Sequence, residues 1–179
     1  MKHESASLNS VALSATLHCL TGCAIGEIAG MVIGTAAGLA NAPTVALSVA
    51  LAFLFGYSLT SLPLLRAGVP PRTVIGVALA ADTVSIATME LVDNAIVVAI
   101  PGAIDAGLGA LLFWGSLATA LVVAGAAALP VNRWLIARGR GHAVLHEHGA
   151  HGGPPTRLVA LATALGGVFG ALVLAAEAL

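Results

Sequence analysis

Cys19, Cys23 and Glu27 follow one another at four-residue intervals. On an α-helix, turning about 100° per residue, they fall within about 80° of arc, so one stripe carries two thiols and a carboxyl. His18 adjoins Cys19 but points further round, toward a neighbouring site or a helix contact. Thiolates and imidazoles are ligands for copper, zinc and related metals. Two thiols one turn apart could also form a redox pair. In an unbroken helix, however, i, i+4 cysteines sit near the long end of the separation a disulfide tolerates, which favours metal over redox chemistry. The plain alternative is that both cysteines are small apolar fillers.

Asp82, Met89, Glu90 and Asp93 form a second group. With Asp82 at zero, Met89 falls near about −20°, Asp93 near about +20° and Glu90 near about +80°. Asp82, Met89 and Asp93 therefore share a face that must look into a bundle. A third group is His142, His146, His148 and His151, four of the chain's six histidines within ten residues. His142 and His146 can chelate from one helical turn, the others add ligands in a glycine-rich stretch, and neutral imidazoles suit zinc, copper and nickel. The same histidines titrate near neutrality and could serve as a pH sensor.

The elements that must position these groups follow from composition. The 179 residues are 59% hydrophobic and only 8% charged, with mean hydropathy +1.01, whereas about a quarter of a soluble domain is charged. This excludes an ordinary soluble domain and predicts one membrane-embedded, all-α bundle over 1–179. Seven basic against eight acidic residues leave no basic surface for phosphates, which excludes nucleic acid as a partner. A spanning helix needs about 20 mainly apolar residues. Five runs meet that length, at about 11–40, 44–65, 73–100, 101–129 and 158–179, with a histidine-rich loop over 130–157. Pro70 and Pro71 between Arg66 and Arg72 close the second run in a tight turn. Pro101 reads as the first-turn proline of the fourth.

Basic residues mark the cytoplasmic side. Lys2, Arg66, Arg72, Arg133, Arg138, Arg140 and Arg157 all fall on one side of a five-span chain, which predicts a cytoplasmic amino terminus and an outer carboxyl terminus. From Arg72, Asp82 lies about 15 Å deep, near the midplane with Cys23, and Asp93 lies near the outer boundary. Asp105, one turn into the fourth run, joins Glu90, Asp93 and Asn94 in an outer acidic mouth, for which helix caps and a wet loop are the plain alternative. Carboxylates placed there with no Lys or Arg must be protonated, solvated or neutralised by a bound cation.

Gly22, Gly26, Gly30, Gly34 and Gly38 recur every four residues along the first run. Such a ridge without side chains lets another helix approach closely, from within the chain or from a second copy in a homo-oligomer.

Three stretches carry a resemblance: His18-Cys19-x-x-Gly22-Cys23-x-x-Gly26-Glu27, then Met89-Glu90-x-x-Asp93-Asn94, then Pro130-Val131-Asn132-Arg133-Trp134-Leu135-Ile136-x-Arg138-Gly139-x-Gly141-His142. On these the chain resembles a family of small bacterial membrane proteins catalogued as a domain of unknown function, number four thousand three hundred and ninety-six. The resemblance implies a multi-span bacterial membrane protein and no established activity; the expected location is the bacterial cytoplasmic (inner) membrane.

The functional expectation is a protein that binds or conducts a transition-metal cation, copper ahead of zinc, with that ion as its cofactor. Cys19, Cys23, Glu27, Asp82, Met89, Glu90, Asp93 and His18 form the membrane site, and Asp93 and Asp105 the outer mouth. His142, His146, His148 and His151 receive the ion inside. The competing classes are a structural or assembly subunit and, as an enzyme, a membrane thiol oxidoreductase using Cys19 and Cys23.

Overall fold

The computed structural model describes residues 7–140. Four helices run in order: α1 Leu8–Ala36, α2 Asn41–Arg66, α3 Pro71–Ala99 and α4 Leu111–Ala137. All four are long and apolar enough to cross a membrane, and no strand occurs among the described residues. The protein is thus a multi-pass helical membrane protein. The expected fifth run over 158–179 and the four histidines of the 130–157 segment lie outside the described residues.

Helix ends explain the boundaries. α1, α2 and α4 each stop at a glycine with positive φ: Gly38 at 66°, Gly68 at 80° and Gly139 at 67°. At each, the glycine amide and the one after it turn back onto carbonyls of the last turn, as Gly38 N–H to Thr35 O at 3.1 Å and Leu39 N–H to Gly34 O at 2.9 Å. This motif ends a helix because only glycine takes the left-handed turn without strain. Gly38 therefore leaves the ridge and serves the turn instead. α3 opens on Pro71 in its first turn, where a missing amide hydrogen costs nothing.

The fourth run is shifted from its expected place. Residues 100–110 form successive tight turns, with Gly102 at φ 76°, because Pro101 is followed by Gly102, Gly107 and Gly109, which do not hold a helix. At the other end Pro130 lies inside α4, as Pro63 does inside α2. Membrane helices accept such prolines where neighbouring helices and local adjustment accommodate the lost hydrogen bond. The first eight residues of the expected cytoplasmic loop are thus helical.

The packing is antiparallel between chain neighbours. Gly22 meets Gly56, Gly26 meets Ala52, Gly30 meets Ser48 and Gly34 meets Thr44, a register in which each step up α1 is a step down α2. A Cβ built on Gly22 would stand 2.7 Å from Gly56 Cα, so the ridge serves the α1–α2 contact within the chain. α1 also touches α3 across the bundle diagonal, whereas among the described residues α2 and α4 do not meet.

In lipid, hydrophobicity no longer separates inside from outside, so small and polar residues take the interior. Leu54, Leu91, Ile75 and Val98 face outward, while Asp82, Ser85, Cys19 and Asn132 are buried. Trp134, with the Arg138 guanidinium 4.0 Å over its ring centroid, marks one end. Trp114, whose indole donates to Leu108 O at 2.9 Å, marks the other, in the manner of interfacial aromatic anchors. The five arginines among the described residues all belong to the Trp134 end, at the α2–α3 turn and the last turns of α4.

Candidate functional site

Because α1 and α3 run in the same direction and touch, their polar stripes meet side by side. The Cys19 thiol donates to Asp82 Oδ1 at 3.7 Å, and one turn along, the Cys23 thiol points at Met89 Sδ at 4.0 Å. Another turn along, Glu27 faces Asp93, with Glu90 close to both Asp93 and Cys23. The two thiols are free and buried, and each answers to its own partner on α3. Around them pack Ala52, Ile86, Ala124 and Ala128, so the sulfur level is a dry, close-fitting layer.

Toward the arginine end the interior stays polar. Asn132 of α4 donates to Thr16 Oγ1 at 2.9 Å and to Ser85 Oγ at 3.0 Å, joining α4, α1 and α3 through one amide. His18 Nε2 lies 3.0 Å from Thr60 Oγ1 of α2, and the Thr60 hydroxyl also serves Asp82. The site thus draws one group from α2 and one from α4 in addition to the α1 and α3 stripes. Asn132→Ala should lower stability by about 1–3 kcal/mol, roughly 0.6 kcal/mol for each interhelical hydrogen bond plus the cavity left behind. Unfolding in mixed micelles checks this; a change near zero would mean that the Asn132 bonds do not hold α4 in place.

Toward the opposite end the interior opens. Glu27, Glu90 and Asp93 are 4%, 5% and 4% exposed and border a cavity of about 550 Å³. Its remaining wall includes Asn41, Ser48, Asn94, Phe113 and Ser116. Both oxygens of Glu27 and of Glu90, and Oδ1 of Asp93, have no hydrogen-bond partner in normal geometry among the described residues. Their nearest polar company is one another and the Cys23 thiol. Buried carboxyls left in this state are expensive, which makes intramembrane examples functional suspects.

Asp82, Met89 and Asp93 share a buried face, as their arc requires, but Glu90 is buried as well; the interior of α3 is wider than one stripe because α1 and α4 both pack on it. Asp105 differs from its expected role. It sits in the α3–α4 connection rather than in a helix, is exposed, and accepts from Asn41 Nδ2 at 2.7 Å. It therefore latches the two connections at this end instead of lining the cavity. Thr60 and Ser85 carried no sequence signal of their own, being ordinary hydroxyls in apolar runs, and Asn132, although within the third stretch of the resemblance, carried no sign of a role in the interior. Asn132 was further hidden by Pro130, which reads as a helix end. Among the described residues no three His, Cys, Asp or Glu side chains are arranged to hold a metal ion.

A family model described as Domain of unknown function (DUF4396) matches residues 9–141. The chain belongs to that family, and the matched segment covers all four helices but for Leu8, the first residue of α1, and every group just described. No curated protein and no solved structure matches the chain.

Proposed function

We propose that this is an inner-membrane protein that takes a transition-metal cation, copper ahead of zinc, into the bundle and passes it through. The observation that supports this reading best is the group Glu27, Glu90 and Asp93: three buried carboxyls on one cavity, with every arginine among the described residues at the far end. Anionic groups in a low-dielectric cavity concentrate cations by their field. From this mouth the ion would meet Cys23 and Met89, then Cys19 and Asp82, then His18. His142, His146, His148 and His151 would collect it on the cytoplasmic side. The orientation is amino terminus inside and, with a fifth span over 158–179, carboxyl terminus outside, following the arginines. With no nucleotide-binding motif in the sequence, the route is a facilitated path or a small transporter.

Cys19→Ala with Cys23→Ala should abolish the metal retained by purified protein loaded with copper or zinc, in a background where the four loop histidines are replaced so that only the membrane site is read. Unchanged metal content per chain would count against a thiol site. Metal lost with the histidines alone would make the protein a cytoplasmic chelator.

A further inference from the structure

We infer that Cys23 and Met89, with the Glu90 carboxyl beside the thiol, form a low-coordinate site for a soft monovalent cation, Cu(I), and that zinc is not its ion. This rests on the cation reading above and goes further in fixing oxidation state and ligands. The two sulfurs lie 4.0 Å apart on facing helices. Metal–sulfur bonds of about 2.3 Å, the length zinc makes to thiolate, would let one ion bridge sulfurs up to about 4.6 Å apart. A bridging ion therefore fits with little movement of either helix.

The surroundings select the metal. Zinc asks for four ligands in a tetrahedron, drawn from Cys, His, Asp and Glu. Here the group facing the Cys23 thiol is the Met89 thioether, the carboxyls of Glu90 and Glu27 stand on the cavity side, and the remaining neighbours are the apolar Ala52, Ile86, Ala124 and Ala128. Cys19, the nearest alternative sulfur, is engaged with Asp82. A thioether beside a thiolate suits soft Cu(I), whereas zinc takes thiolate, imidazole and carboxylate ligands and not thioether. Glu90 supplies the independent sign of a ligand: it is 5% exposed, neither of its oxygens has a partner in normal hydrogen-bond geometry among the described residues, and its carboxyl stands against the Cys23 thiol. On binding, the thiol loses its proton and the sulfur gains the ion, Cys–SH plus Cu⁺ giving Cys–S–Cu plus H⁺. The layer thus stays neutral.

The test loads the full chain, with the four loop histidines replaced, with Cu(I) kept reduced by ascorbate, with Ag(I) as a redox-inert stand-in, or with Zn(II). Metal per chain is then measured after gel filtration, and sulfur coordination by X-ray absorption. About one Cu(I) or Ag(I) per chain with two sulfur neighbours is expected, and no zinc. Met89→Leu, which keeps the side-chain volume, and Cys23→Ala should each abolish retention. Gly76→Ala, where a new Cβ meets nothing within 4 Å, should keep it, and Glu90→Gln should weaken it by about 10–100-fold, as loss of a group next to the ligands does. Cu(I) retained in both Met89→Leu and Cys23→Ala would overturn this site while leaving a membrane cation site in place. Zinc retained in preference to Cu(I) would overturn the oxidation state. No metal in any sample would overturn both readings.

Discussion

Gly26→Val is expected to leave almost no folded protein, and even Gly26→Ala should lower stability by at least about 1–3 kcal/mol, the usual cost of overpacking. The first atoms a new Cβ would meet are the backbone nitrogen and Cα of Ala52. A flexible side chain could swing aside, but a backbone cannot, so α1 and α2 must separate. Their separation would unmake the register that runs from Gly22 opposite Gly56 to Gly34 opposite Thr44. Gly76→Ala is the matched control, since a Cβ there meets nothing within 4 Å and alanine is the better helix former. Thermal unfolding of the detergent-solubilised variants should rank Gly26→Val far below Gly26→Ala, and Gly76→Ala at or above the parent. Equal stabilities at positions 26 and 76 would mean that the α1–α2 contact is looser than described.

Glu27→Leu combined with Asp93→Leu should move stability and activity in opposite directions. These carboxyls face each other at the edge of the cavity, nearly fully buried and without a basic partner among the described residues. Exchanging both members of a buried polar pair for apolar side chains of similar size is neutral to stabilising, by up to about 1–3 kcal/mol, equivalent to a rise of up to several degrees in unfolding temperature at roughly 2–4 °C per kcal/mol. In vesicles, the same variant should lose most of its metal uptake, because the field that draws a cation into the cavity is gone. Residues kept for function at the expense of stability behave in this way. A purely structural role predicts the reverse: a less stable protein, with uptake unchanged if there is any.

Much of this arrangement was legible in the residues. Cys19, Cys23 and Glu27 on one stripe, Asp82, Met89 and Asp93 on another, and a glycine row beside the first are all periodicities, and helical periodicity survives folding intact. What the sequence could not show was which stripe meets which. That depends on α1 reaching across the diagonal to α3 while α2 takes the glycine row, a choice made by packing rather than by any one residue. Prolines misled in both directions. Pro101 reads as a helix start but stands among glycines that break the helix, and Pro130 reads as a stop but is carried inside α4. The difference lies in the neighbours, since the apolar run on either side of Pro130 continues and that around Pro101 does not. Asp105 was misplaced with Pro101, because a residue assigned to the wrong element is assigned the wrong depth.

The diagonal contact between α1 and α3 also bears on how the protein is made. Asp82, Glu90 and Asp93 all lie within α3, and each carboxyl left to lipid near a helix centre costs about 2.5–3.5 kcal/mol even on lenient insertion scales. The α1–α2 pair emerges from the ribosome first, joined by a turn of a few residues and held along its glycine register. Its far face already carries Cys19, Cys23 and Glu27. When α3 enters the bilayer, its acids find a polar seam waiting instead of hydrocarbon. The stripe on α1 is thus the surface that takes these acids out of hydrocarbon, and it belongs to a helix that precedes α3 in the chain.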